Sequence, residues 1–238
     1  GDKGAVVLQG GSQSAMDNGT LTVEQVKSVC QAYGSCETDY QSVVYQQGGI
    51  GLIDFPLIDT EVSSSGNIAR LAKVGFDSKL NIAMSIDSDT ALLTYTKNSM
   101  NHIKVIGQQG IILLEQSNDF IDLMNIKYSY FTPEDEIIFD KTKVIINYPH
   151  WKTPSEQSDS ELAHYKNLFY GDSFKRFSEQ ACVIRNKKWV GNAGRKKQFR
   201  IELEKNPNNK LYMGALKVPN GYQFYCSIDA MSFSLIRN

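Results

Sequence analysis

Residues 79–87 read KLNIAMSID, and this stretch decides the class of fold. Its apolar side chains fall at every second position, Leu80, Ile82, Met84 and Ile86, which is the pattern of an antiparallel strand with one buried face. Similar short apolar runs follow at residues 91–96, 102–107, 110–115, 122–131 and 143–148. Closely spaced short strands without long helices between them predict a mainly β, antiparallel, sandwich-like protein, with an α+β fold as the alternative.

The remainder of the chain predicts two helical parts around these strands. Residues 1–20 are rich in Gly, Ser and Gln and are expected to form a flexible lead-in. Thr22 is an N-cap for a first helix, and a second helix over residues 37–47 would complete an N-terminal helical hairpin. This hairpin and an acidic β-sheet would occupy residues 21–150. Residues 151–238 would hold one later helix, from Pro154 to Gly171, and basic β-hairpins packed on the same core.

The cysteines indicate the compartment. Four are present, which allows three pairings. The economical pairing joins Cys30 to Cys36 and Cys182 to Cys226, the last two lying in strand-like apolar runs. Two disulfides would place the protein outside the cytoplasm, as an extracellular, cell-surface or periplasmic protein, whereas four free buried thiols would be the cytosolic alternative. No apolar run of about 18 residues occurs, so no membrane span is expected.

Charge is divided unevenly along the chain. The formal net charge is -1, yet residues 1–150 contain 10 Lys and Arg against 18 Asp and Glu, while residues 151–238 contain 15 against 8. The peak is residues 185–200, RNKKWVGNAGRKKQFR, where residues 192–194 predict a hairpin turn. The expected anion-binding residues of this basic hairpin are Arg185, Lys187, Lys188, Trp189, Arg195, Lys196, Lys197 and Arg200.

Several partners fit the basic hairpin. An anionic glycan or an acidic protein surface would be attracted by the cations, and Trp189 would stack on a sugar or a base. Nucleic acid is less favoured, because the chain as a whole is not basic and carries no nucleic-acid reading motif. The acidic half of the same chain is a further partner, and in a second copy it would give head-to-tail self-association.

A second candidate site is acidic. Asp87 and Asp89 follow the strand of residues 82–86, where an acidic pair can hold a divalent cation that neutralises a diphosphate. The stretch IAMSIDSDTALL, residues 82–93, resembles the D-x-D element of nucleotide-sugar glycosyltransferases, and Arg70 is similar to the Arg that often precedes it. The resemblance implies a metal site at Asp87 and Asp89. An ordinary acidic turn is the alternative there, and an acidic turn is also favoured at residues 133–136, PEDE.

The sequence favours binding over catalysis. It contains no G-x-S-x-G, no G-x-x-x-x-G-K-[ST] and no C-x-x-C motif, and it indicates no cofactor. The expected function is a non-enzymatic binding or assembly module outside the cytoplasm, such as an adhesin, a pilus-associated subunit or a viral or phage structural protein. A metal-dependent glycosyltransferase and a nucleic-acid-binding protein are the two alternatives.

Overall fold

The computed structural model describes residues 5–33, 42–47, 57–116, 122–139, 144–161, 163–218 and 221–238. The strands are β1 (Ala5–Gln9), β2 (Thr20–Thr22), β3 (Val43–Gln47), β4 (Leu57–Thr60), β5 (Ile82–Ile86), β6 (Thr90–Lys97), β7 (Met100–Gly107), β8 (Ile111–Glu115), β9 (Ile126–Phe131), β10 (Glu136–Phe139), β11 (Val144–Asn147), β12 (Thr153–Pro154), β13 (Lys188–Ala193), β14 (Phe199–Glu204), β15 (Lys210–Val218) and β16 (Gly221–Arg237). The helices are α1 (Ser12–Asn18), α2 (Val23–Tyr33), α3 (Val62–Ser65), α4 (Ile68–Asp77) and α5 (Ser173–Glu179), with 3-10 turns at Gln180–Cys182 and Arg195–Lys197.

The described strands form two sheets. The larger follows the order β12-β15-β16-β9-β8-β5-β4-β1-β3-β2, with β14 pairing on β16 and β13 pairing on β14. The smaller is β11-β10-β7-β6 and is antiparallel. The predicted mainly β class is confirmed, but the sandwich-like arrangement is not. The larger sheet is mixed, because β4 runs parallel to both β1 and β5, and α3 and α4 supply the crossover that a parallel pair requires.

Strand β5 shows how the layers are built. Met84 points into a core shared with the smaller sheet, whereas Ala83 packs into the main core on the opposite face, with side chains of α4 and α5. Ser85 is buried as well. The alternation at residues 79–87 therefore identified a strand correctly, but this strand is covered on both faces, since side chains of β7 and β10 pack against the face that carries Met84.

The predicted flexible lead-in is wrong for its described part. Ala5–Gln9 form β1, which pairs with β3 on one side and with β4 on the other. Ser12–Asn18 then form α1. Gly10 permits this tight exit from β1, because its φ is 96° and an added Cβ would lie 2.8 Å from the Val43 side chain. Gly10 thus allows a close approach of β1 to Val43.

The predicted helical hairpin is not confirmed, although a first helix is present. Its first helix is α2, and Thr22 caps it as expected: the Thr22 hydroxyl accepts the Gln25 N–H at 3.1 Å, and the Gln25 side chain accepts the Thr22 N–H at 2.7 Å. The second helix is wrong over residues 43–47, which form β3, and residues 37–41 lie outside the described residues. Val43, Val44 and Tyr45 are all buried, as suits β-branched and aromatic residues in a strand.

The predicted later helix is also misplaced. Pro154 lies in β12, the described residues from 155 to 172 contain no helix, and α5 begins only at Ser173. Backbone groups of this segment form long-range hydrogen bonds instead: the Ser155 N–H donates to Leu211 O at 2.8 Å and the Leu168 N–H donates to Asn192 O at 3.0 Å. Leu168 is buried in the main core and Tyr165 and Phe169 pack against it, so the described part of this segment contacts the core without helical geometry. No helix in the described part of the chain has the length and apolar character of a membrane span.

Candidate functional site

The basic hairpin forms as the sequence predicts. Strands β13 and β14 pair antiparallel from Lys188 opposite Glu204 to Ala193 opposite Phe199. β14 then continues the larger sheet by pairing with β16. The hairpin is therefore a rigid extension of the sheet, and residues 194–198 form its tip.

Acidic residues neutralise the cations of this hairpin that lie outside the tip. Four of its seven cations lie within ion-pair distance of a carboxylate. The pairs are Lys187–Glu204 at 3.3 Å, Lys188–Glu202 at 2.7 Å, Arg200–Glu202 at 3.0 Å and Arg185–Asp159 at 3.1 Å. Because these pairs are at the surface, they add little stability, but they cancel much of the positive field that the sequence suggests.

Trp189 is not a ligand-stacking residue. Its side chain is 1% exposed and belongs to the main core, as does Phe199. The period of two along a strand explains this, because Trp189 and Ala193 face the core while Lys188 and Val190 face solvent. The expectation that Trp189 contributes to the anion-binding surface is therefore wrong.

The cations of the tip differ from those of the rest of the hairpin. Arg195, Lys196 and Lys197 are exposed, and within the described part of the chain their side chains have no ion pair or hydrogen bond. Lys196 and Lys197 both adopt left-handed backbone, with φ of 52° and 57°. Such a conformation is unfavourable for a residue with a side chain.

Neighbouring elements hold the tip in place. Gln13 of α1 accepts the Arg195 N–H at 2.7 Å, and Asn167 accepts the Gly194 N–H at 2.8 Å. Asn238 donates its side-chain amide to Lys197 O at 2.7 Å. Three cations with no acidic partner among the described residues are thus presented on a turn that hydrogen bonds from three neighbouring residues hold in place.

The structure separates the members of the acidic candidate site. Asp87 directly follows β5 and is 4% exposed, whereas Asp89 is exposed in the turn that follows, with a φ of 52°. Arg70 is engaged elsewhere, in an ion pair with the buried Asp59 at 2.7 Å and a hydrogen bond to Gly10 O at 2.6 Å. Among the described residues, no group of three or more His, Cys, Asp or Glu side chains is placed to hold a metal.

A polar cleft of about 350 Å³ opens beside Asp87. It lies between α3, the end of β5 and α5, and Lys175 and Glu179 of α5 face it. The Tyr130 hydroxyl donates to Asp87 Oδ2 at 3.1 Å. Burial raises the pKa of Asp87, an effect that Ser63, Lys175 and Tyr130 oppose, and burial likewise raises the pKa of Glu179.

The predicted disulfide between Cys182 and Cys226 is present, with a Cα–Cα distance of 6.0 Å. Cys226 lies in β16 as expected, but Cys182 lies in the 3-10 turn after α5 and not in a strand. Both residues are buried, so the bond ties the end of α5 to the sheet. The predicted partner pair, Cys30 and Cys36, falls outside the described side chains.

Two groups of polar residues were not singled out by the sequence. Gln13 and Asn167 orient the basic tip, and Lys175 and Glu179 line the cleft. All four are isolated polar residues in unremarkable surroundings, and only the folded chain shows what they face. No family model matches this chain, and no solved structure matches it.

Proposed function

We propose that this protein is a non-enzymatic binding module that acts outside the cytoplasm and recognises an anionic glycan with the basic tip, Arg195–Lys197. The observation that supports this function is the state of those three cations. They are exposed, they have no acidic partner among the described residues, and they sit on a turn that other elements fix.

The strained backbone strengthens this interpretation. Each left-handed residue of this type costs on the order of 1–3 kcal/mol, and it persists only where the surroundings determine it. Gln13, Asn167 and Asn238 supply those surroundings. A turn that is already ordered loses less entropy when it binds a partner, so the same three charges attract an anion better than they would on a free loop.

The chemistry of the tip favours a glycan over nucleic acid. Trp189 and Phe199 are buried, so the hairpin offers no aromatic platform for bases. Sulfate and carboxylate groups on a glycan need only charge and hydrogen-bond donors, which Arg and Lys provide. The buried disulfide fits an oxidising compartment, and an adhesin, a pilus-associated subunit or a viral or phage structural protein would be the matching settings.

Heparin chromatography tests the proposal. The variant R195Q/K196Q/K197Q should elute at clearly lower salt than the parent. A control with the same loss of charge, K97Q/K210Q/K217Q, removes three exposed lysines elsewhere and should elute close to the parent. Equal shifts in both variants would show that only net charge matters and would refute a dedicated site.

Self-association through the acidic half of a second copy is the competing outcome. Sedimentation velocity of the parent over a range of concentrations detects it. If the parent forms dimers and R195Q/K196Q/K197Q does not, while heparin retention is unchanged, the tip contacts another copy of the chain and the glycan proposal fails.

A further inference from the structure

The cleft beside Asp87 has the composition of a binding site for a small polar ligand. Of its lining residues only Phe224 is apolar, and the others come from α3, the β5–β6 turn, α5 with the preceding Asp172, and Gln109. The carboxyl ends of the parallel strands β4 and β5 lead into this region. In open α/β sheets, ligands bind in the crevice outside the carboxyl ends of parallel strands.

The charges in the cleft do not balance. Asp172 and Arg176 neutralise each other at the exposed rim, in an ion pair of 2.7 Å. Lys175 donates a hydrogen bond to Gln109. Asp87 and Glu179 then face one cation, Lys175, which leaves an excess of one negative charge when both carboxyls are ionised.

Two acceptors in the cleft, Asp87 Oδ1 and the Glu179 carboxylate, also lack donors within the part of the chain that the structure describes. Asp87 Oδ1 is buried and accepts no hydrogen bond in the described part of the chain, although Oδ2 accepts from Tyr130. Ser63 lies near enough to favour the ionised form of Asp87 but does not reach hydrogen-bond geometry with Oδ1. The Glu179 side chain likewise has no hydrogen bond among the described residues. An unsatisfied buried acceptor is costly, and a ligand that donates to it recovers that cost.

The mouth of the cleft carries an exposed aromatic side chain. Phe224 of β16 is 74% exposed, which is unusual for phenylalanine. Ammonium groups pack favourably against aromatic faces, so an aromatic residue next to unpaired carboxylates suits an organic cation. A metal ion suits the site less well, because Lys175 occupies it and the described residues supply no third ligand.

We infer that this cleft binds a small organic ammonium compound, with the protonated amine directed to Asp87 and Glu179 and the body of the ligand against Phe224. The volume of about 350 Å³ accommodates a molecule the size of an amino sugar. This site is separate from the basic tip, so its failure would leave the proposed glycan-binding function standing.

Calorimetric titration of the full chain with D-glucosamine, ethanolamine and D-glucose tests the inference. D-glucose is the neutral counterpart of D-glucosamine, so it should bind at least about tenfold more weakly. D87N, which keeps the shape and removes the charge, should weaken amine binding by about tenfold or more. D89N, two residues away in the same turn but exposed, should bind like the parent.

Loss of folding is separated from loss of binding by a second variant. E179Q changes a partly buried residue on α5 and should also weaken the binding of the amine. The midpoint of its thermal unfolding should stay near that of the parent. The inference is overturned if neither amine binds, if D-glucose binds as well as D-glucosamine, or if folded D87N and E179Q both bind the amines like the parent.

Discussion

Removal of Lys152 should strongly destabilise the protein. Its side chain and that of Asp135 are both 0% exposed and form an ion pair of 2.5 Å. Lys152 Nζ also donates to Thr132 Oγ1 at 2.8 Å and to Ser227 Oγ at 2.9 Å. The pair therefore connects the turn between β9 and β10 with the segment before β12 and with β16.

The magnitude follows from the isolation of this pair from water. Burial is the main influence on both groups: it raises the pKa of Asp135 and lowers the pKa of Lys152, in each case against the attraction of the partner. K152M would leave Asp135 buried without its counter-charge. Loss of one partner of a buried pair costs about 3–5 kcal/mol of unfolding free energy.

The cost should depend on pH in a defined direction. Without Lys152, the folded-state pKa of Asp135 rises further above its unfolded value, so the folded variant binds a proton more readily than the unfolded chain. Stability of K152M should therefore increase as pH falls, by up to about 1.4 kcal/mol per pH unit over the range in which Asp135 is protonated in the folded state and still ionised in the unfolded chain. Between pH 7 and 5 the difference in unfolding free energy between the parent and K152M should therefore become smaller.

Urea unfolding followed by circular dichroism measures these quantities. D135N/K152M removes both charges but retains an oxygen for the Thr132 N–H and the Ser227 hydroxyl, so it should be less destabilised than K152M. K127M breaks the more exposed Lys127–Glu115 pair and should cost less than about 1 kcal/mol. A cost for K152M at pH 7 no larger than that of K127M would refute this reasoning.

Two further perturbations probe other parts of the structure. C182A/C226A removes a bond that spans 44 residues and should lower the unfolding free energy by about 4 kcal/mol on the chain-entropy relation, measured by urea unfolding; an unchanged midpoint would contradict a role for this bond in stability. Y95F removes the hydroxyl whose hydrogen bond is the main cause that lowers the pKa of Glu136 to about 2. The pKa of Glu136, followed by carbon-13 NMR of its carboxyl, should therefore rise in Y95F, and no rise would be the opposing result.

The local features of the fold could be predicted because they depend on neighbours in the sequence. The alternation over residues 79–87 places β5, and Thr22 with its partner Gln25 caps α2. The basic hairpin follows from two strand-like runs around a glycine-containing turn. In each case the pattern and its physical cause lie within a few residues of each other.

The sequence-based predictions fail where the local structure depends on residues from other elements of the fold. Residues 43–47 are β-prone, and pairing with β1 makes them a strand. The segment of residues 185–200 contains no acidic residue, so the sequence did not indicate ion pairs for Lys187 and Lys188. Their partners, Glu204 and Glu202, lie just beyond residue 200 and come close only when the hairpin forms. Lys152 lies next to the division expected between residues 150 and 151, and its buried partners come from residues 132–135 and 227.

The affinity of a fluorescently labelled heparin octasaccharide tests the central claim most directly. If each exposed contact contributes about 0.5 kcal/mol, loss of the three tip cations should weaken binding by about tenfold. Anisotropy titrations should show this loss in R195Q/K196Q/K197Q, with a weaker salt dependence, while K97Q/K210Q/K217Q keeps the affinity of the parent. Equal affinities for the tip variant and the parent would contradict the assignment of the basic tip as the binding site.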